Sequence, residues 1–218
     1  MQNNTFIKET ETFVKNKLKG ESTGHDWWHA YRVWQNAKLI LKAEPKANKL
    51  IVELASLLHD ISDWKFNGGD DSIGPQIASN FLTELGVDKN TIDAVAQIIS
   101  TMSFKGAKVK TPMSTLEGEI VQDADRLDAI GAIGIGRTFA YGAYANQEMY
   151  DPDIKPKSHT SYEDYKKQKG TTVNHFYEKL LLLKDRMNTQ TAKEIAEQRH
   201  KFMEQFLEEF FAEWSGEK

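Results

Sequence analysis

The sequence predicts an all-α protein, a compact multi-helix bundle, and three observations carry that prediction. Apolar residues recur at three- and four-residue spacing through most of the chain, which lines them along one face of successive helices. Glycine, proline and side-chain caps mark the ends of most of these stretches, as helix boundaries require. No segment shows the strict apolar/polar alternation of a half-buried strand. At 218 residues the chain is long enough to bury a real core and suits one domain. The expected domain spans 1–218, with a core over about 20–140 and a C-terminal helical part, 141–218, packing on it.

The elements follow in order. Phe6, Ile7, Phe13, Val14 and Leu18 predict an amphipathic helix over 6–18, closed by Gly20. Asp26 is placed to cap a second helix that runs through Leu39, Ile40 and Leu41 and stops near Pro45. The stretch 51–65 reads as a helix apolar on nearly every side, hence buried. A turn at Phe66–Asp71 precedes a helix over about 72–85, which Gly86 ends, and Asp88 starts another that runs to Ser100. Residues 101–112 form a basic loop with Lys105, Lys108 and Lys110. Ser114-Thr115-Leu116-Glu117 fits a capping box opening the helix that carries Asp123, Asp125 and Asp128. Gly131, Gly134 and Gly136 follow, and close helix packing explains them better than a dinucleotide fingerprint, because their spacing is wrong and no strand precedes them. The pattern weakens around 142–170, an irregular excursion of the kind that shapes pockets. Helicity returns over about 172–187. Thr191-Ala192-Lys193-Glu194 fits another capping box opening the last helix through Trp214, with Ile195, Phe202, Phe206 and Phe210 inward and Gly216 beyond its end.

Composition excludes several function classes. With no cysteine there are no disulfides, thiolate nucleophiles or thiolate zinc sites. A net charge of -4 argues against broad binding to a nucleic-acid backbone, which needs a basic surface. The N-terminus lacks the apolar core of a signal peptide, and no apolar run approaches the roughly 20 residues that span a bilayer. A soluble, cytoplasmic protein is expected, with neither nucleic acid nor membrane as partner.

The chemistry gathers on a few ionisable residues in apolar surroundings. His59 and Asp60 fall within the predicted buried helix, where unpaired charge is costly and such groups are neutralised, paired or bound to a metal. His25, His29 and Arg32 follow one another at spacings of four and three, roughly along one face. They read either as a helix start whose aromatics pack on the core, or as a site in which His29 joins His59 and Asp60 at a metal while Arg32 meets an anion. Helical spacing does not choose between these. Of the three aspartates in the helix after Ser114, at least one is expected to point inward. Together His29, His59, Asp60 and Asp125 offer two imidazoles and two carboxylates from distant parts of the chain. Such a mixed nitrogen and oxygen set suits Mn, Fe, Co, Ni or Zn better than calcium and leaves positions for water.

This arrangement resembles the HD-domain metal-dependent phosphohydrolases, whose signature is a His, then a His-Asp pair, then a distant Asp. His-Asp-Trp-Trp-His at 25–29 and Gln-Asp-Ala-Asp-Arg-Leu-Asp-Ala at 122–129 are similar to a group of small bacterial HD hydrolases. The likeness runs from Gly24 to Asn174-His175-Phe176 and the final helix. It implies an HD-domain fold and His29, His59, Asp60 and Asp125 as ligands of one divalent ion, with Asp123 and Asp128 in supporting or structural roles. Asp63, three residues after the His-Asp pair, stands where related enzymes often have an acidic catalytic residue, commonly Glu; here the acid is one methylene shorter. No histidine lies between Asp60 and Asp125, so a mononuclear site is expected rather than the oxygen-activating di-iron branch.

The implied reaction is hydrolysis of a phosphate ester or anhydride in a small phosphorylated molecule, most simply a nucleotide. In that scheme Asp63 moves the proton, and Arg32 and Lys65 offset charge on the phosphoryl group. His175 and Lys179, four apart on one helical face, contact the substrate's phosphates or are a plain helix surface. The subgroup resemblance favours a nucleoside triphosphate cut to monophosphate and pyrophosphate with manganese. A nucleoside 5'-monophosphatase and a nucleotide-sensing module without catalysis are the alternatives.

Overall fold

The computed structural model describes residues 2–20, 24–62, 72–102, 109, 111–157 and 170–218. Its elements are α1 (Gln2–Lys17), α2 (Trp27–Leu41), α3 (Lys49–Leu58), α4 (Ile73–Glu84), α5 (Lys89–Thr101), α6 (Leu116–Asp128), α7 (Gly131–Tyr144), α8 (Asn174–Glu178) and α9 (Gln190–Trp214), with two 3-10 turns between the last two. Among the described residues there is no strand, and no helix is long and apolar enough to cross a membrane. The all-α prediction holds. The chain divides into two compact units, one drawn from Met1–Phe104 with Lys110–Asp125 and the other from Lys105–Val109 with Arg126–Lys218.

In the first unit α3 is the element against which α1, α2 and α5 pack, while α4 packs on α5. Every residue of α3 from Val52 to Leu58 is buried, and burying each of Leu54, Leu57 and Leu58 contributes about 1.5–3 kcal/mol relative to exposure. The polar members are accommodated: Trp34 Nε1 donates to the Glu53 carboxylate at 2.8 Å. Asn48 caps the helix by accepting from the backbone of Leu50 and Ile51. The helix is shorter than the 51–65 expected. It ends at Leu58, and Ile61 N–H reaches back only three residues to Leu58 C=O, a tightened last turn of the kind that satisfies orphan carbonyls at a helix end. His59 and Asp60 therefore sit just past the last residue of the helix, with His59 as its C-cap still at φ -57°, ψ -36°.

Other boundaries match the sequence where the signal is local. Asp26 accepts from His29 N–H at 2.9 Å and Asp88 from Thr91 N–H at 3.0 Å, each capping its helix as expected. Gly86 and Gly216 adopt left-handed φ of +80° and +69° beyond α4 and α9, a conformation that suits glycine. The capping box at Ser114–Glu117 does not form. Thr115 Oγ1 accepts from Gly118 N–H at 3.1 Å, while Glu117 accepts from Asn48 N–H at 2.7 Å. A tertiary partner has taken the carboxylate that the local motif would have used.

The second unit is built on α7 and α9, which pack on each other. Phe139, Phe176, Phe206 and Phe210 form an aromatic cluster with centroids 5.9 to 6.4 Å apart. Tyr150 meets Trp214 edge-on at 5.0 Å. Of the three glycines after Asp128, Gly131 has φ +75° and lies against the Arg199 side chain, Gly134 leaves no room for a Cβ beside the Ala129 backbone, and Gly136 faces open space. Close packing thus accounts for two of them.

Two helical expectations here are corrected. Over 172–187 there is only the short α8, followed by 3-10 turns at Leu180–Leu182 and Lys184–Arg186, because Lys179 at φ -141°, ψ -59° leaves helical geometry. In α9 the cap is Thr189, whose Oγ1 accepts from Ala192 N–H at 3.3 Å, two residues before the predicted box at Thr191. Phe202 is 49 % exposed, and Met203 and Leu207 are buried instead. In the excursion, residues 145–157 are non-helical and tied to the chain ahead of α8 by Thr172 N–H to Glu148 C=O and Val173 N–H to Met149 C=O.

Thr189→Ala is expected to cost about 1 kcal/mol for the lost cap, a fall of about 2–4 °C in Tm for a chain of this size. Thr191→Ala, by contrast, is expected to leave Tm nearly unchanged; differential scanning calorimetry of the two variants distinguishes the caps.

Candidate metal centre

The first unit brings four sequence-predicted residues to one point. His29 lies in the first turn of α2, where the Asp26 cap fixes the start of the helix, and its side chain is buried. His59 and Asp60 come from the turn that closes α3. Asp125 comes from α6, held beside α2 by Asn36 Nδ2 donating to Ala124 C=O at 3.2 Å. The Gln122 amide, buried, ties α6 further by donating to Met102 C=O and Thr111 C=O.

The facing atoms are His29 Nε2, His59 Nε2, Asp60 Oδ2 and Asp125 Oδ1. The two ring nitrogens are 3.1 Å apart. His29 Nε2 is 3.1 Å from Asp60 Oδ2 and 3.5 Å from Asp125 Oδ1, and His59 Nε2 is 3.5 and 3.8 Å from the same oxygens. Ligands about 2.1 Å from a six-coordinate cation stand roughly 3.0 Å apart at right angles, so a small contraction brings this set to binding distance. His59 Nδ1 donates to Ser56 C=O at 2.8 Å, which orients the ring and directs Nε2 at the others, as the outer nitrogen of a metal-bound histidine commonly does.

Electrostatics point the same way. Burial works against charge on His59, but the Asp60 carboxylate outweighs it and, with Asp125 and the Ser56 carbonyl, pushes the imidazole up to about 9. Burial likewise opposes charge on Asp60, yet His59 and His25 hold its carboxyl well below the usual carboxylate range. Two acids around two imidazoles thus attract positive charge to their centre. A proton meets that demand weakly, and a divalent cation with mixed nitrogen and oxygen ligands meets it fully. The donor set fits a metal of the manganese-to-zinc series, and His29, His59, Asp60 and Asp125 are the residues that would hold it.

The other predicted residues fall elsewhere. Arg32 is half-buried on α2, one turn after His29. Asp123 is buried in α6, and Asp128 is buried with its carboxylate accepting from Arg137 Nη1 at 2.9 Å, a structural ion pair. His175 on α8 and Lys179 just after it are half-buried in the second unit. Asp63, Lys65 and the loop lysines 105, 108 and 110 lie outside the described residues. Sequence reading left His25 out of the site, although its Nδ1 is 2.6 Å from Asp60 Oδ2. The i, i+4 spacing to His29 was the available signal, but it reports a shared helix face, and His25 precedes the helix.

An all-helical unit in which a histidine, a His-Asp pair and a distant aspartate converge defines a metal-dependent phosphohydrolase of the HD class. The HD domain family matches residues 27–130, and the chain belongs to that family. It is 42 % identical over 204 residues to YpgQ of Bacillus subtilis (strain 168), covering 92 % of this chain and 89 % of YpgQ. An HD-superfamily hydrolase from Bacillus thuringiensis is similar at 44 % identity, TM-score 0.75 and 98 % coverage of both chains. A solved structure from Lactobacillus plantarum superposes with TM-score 0.85 at 38 % identity, covering 97 % of this chain and 98 % of that one. YpgQ has also been solved in complex with ADP, at 36 % identity and TM-score 0.76, covering 96 % of this chain and 95 % of that one.

Asp125→Ala is expected to abolish stoichiometric metal binding while Asp123→Asn retains it, read by elemental analysis after dialysis. Because His59 in the metal-free site holds its proton up to about pH 9, a cation must displace that proton below this pH. Affinity is therefore expected to rise with pH between 6 and 9, by up to about tenfold per unit. Calorimetry at pH 7.5 in buffers of different ionisation enthalpy should show about one proton released per ion.

Proposed function

We propose that this protein hydrolyses nucleotides with one divalent ion, preferably manganese, cutting a nucleoside triphosphate to the monophosphate and pyrophosphate. The observation that carries the reading is the set of two imidazole nitrogens and two carboxylate oxygens with cross-distances of 3.1 to 3.8 Å. The ADP complex of YpgQ supports a nucleotide as the ligand class. The pyrophosphate-releasing cut and the choice of manganese rest on the likeness of the 25–29 and 122–129 segments to one HD subgroup.

In this reading His29, His59, Asp60 and Asp125 hold the ion. When bound, the ion supplies Lewis acidity toward a phosphoryl oxygen and lowers the pKa of a water. The chain's own residues do the rest. Asp63, close in sequence to the ligands, takes the proton from the attacking water. Arg32, one helical turn from His29, and Lys65 bind the phosphoryl oxygens and offset the negative charge that builds there.

A panel of nucleoside mono-, di- and triphosphates with Mn, Mg, Co and Ni, analysed for pyrophosphate against orthophosphate, tests this directly. Pyrophosphate from triphosphates is the expected product. Orthophosphate from monophosphates would replace the reading with a 5'-monophosphatase, and tight nucleotide binding with no product under any metal would replace it with a sensing module. Asp63→Ala is expected to retain the metal and lose turnover by about 10²–10⁴-fold, the usual contribution of a positioned proton-transfer group.

A further inference from the structure

We propose that His25 is a positioning residue whose ring N–H clamps Asp60 Oδ2, the oxygen that faces both His29 and His59, and so presets the carboxylate for the cation. The inference rests on the reading of the cluster as a metal centre. It goes beyond that reading by adding a fifth residue with a different task.

Three observations lead to it. His25 Nδ1 stands 2.6 Å from Asp60 Oδ2, and since an ionised carboxylate only accepts, the nitrogen carries the hydrogen and donates. That length is at the short end for a charge-assisted hydrogen bond. His25, His29 and Asp60 stand close enough together to share an ion, but an Nδ1 that donates its hydrogen has no lone pair for a cation, so His25 acts through this nitrogen as a support for Asp60 and not as a further ligand. Second, Asp60 needs a support. It lies beyond the end of α3 and its side chain is 23 % exposed, whereas His29 and His59 are set in packed rings, with Ser56 C=O holding His59. Third, the chain fixes His25 from both sides. Gly24 before it has φ +93°, a turn open to glycine at little cost. Asp26 after it is bound to α2 as the cap. The His25 ring also meets the His29 ring edge-on, at 5.6 Å and 79°.

The test uses the full-length protein freed of metal and titrated with Mn²⁺ by calorimetry, with Co²⁺ absorption as a report on ligand geometry. His25→Ala is expected to weaken Mn²⁺ binding by about 10–100-fold, as lost support to a metal ligand does, with stoichiometry unchanged at one ion per chain and an altered Co²⁺ spectrum. His25→Asn, whose amide N–H can occupy nearly the position of Nδ1, is expected to recover most of the affinity; His25→Gln, one methylene longer, is expected to recover less. Thermal unfolding of the metal-free variants separates this effect from loss of fold, and the Asn and Gln variants carry the comparison if the Ala variant does not fold. Unchanged affinity in His25→Ala, recovery by Gln equal to that by Asn, or a fall from two ions to one would each overturn the proposal, as would failure of the wild-type protein to bind either ion. Normal Mn²⁺ binding without nucleotide hydrolysis would instead overturn the proposed reaction and leave the clamp standing.

Discussion

Two imidazole nitrogens held 3.1 Å apart and faced by two carboxylates are stable only with positive charge between them, and much of the first unit is arranged to keep them there. Buried ionisable groups without such compensation are expensive. α3 meets that constraint by being buried from Val52 to Leu58, so that it delivers His59 and Asp60 at its very end, from within the packed unit. α2 and α6 bring the opposing residues, and Asn36 and Gln122 secure α6 through backbone carbonyls rather than through the carboxylates themselves. The ligands are left to face one another.

The three aspartates of α6 show how environment divides labour among like residues. Asp128 is consumed by Arg137 and Asp123 is enclosed in the core. Asp125 keeps a side chain 35 % exposed and directed at His29 and His59, which gives it both a charge to offer and access for a ligand. The same logic separates the arginines. Arg126 and Arg199 donate to the Arg186 and Leu127 carbonyls and close helix ends in the second unit, while Arg32 stands a turn away from a metal ligand.

Much of the helical pattern was legible because helix stops and starts are local events. A capping aspartate needs only the next turn, as at Asp26 and Asp88, and a left-handed glycine needs only its own backbone, as at Gly86 and Gly216. The expectations that failed are those in which a distant partner competes. Glu117 left its capping box for Asn48 N–H, and α3 ended early in the turn that presents His59. The chain at 172–187 broke into 3-10 turns at Lys179. Phe202 shows the remaining weakness of pattern reading: a stripe at helical spacing names a face, but neighbouring positions on that face compete, and Met203 and Leu207 took the buried one.

The sequence by itself determined the all-α class, the family, and the four residues that offer two imidazoles and two carboxylates, because order along the chain and donor chemistry are written in residue identity. The tertiary structure alone decided that Asp128 is tied up by Arg137 and that His25 reaches Asp60. Those outcomes depend on distances of a few ångströms between separate segments, and a hydrogen bond responds to that separation and not to spacing along the chain.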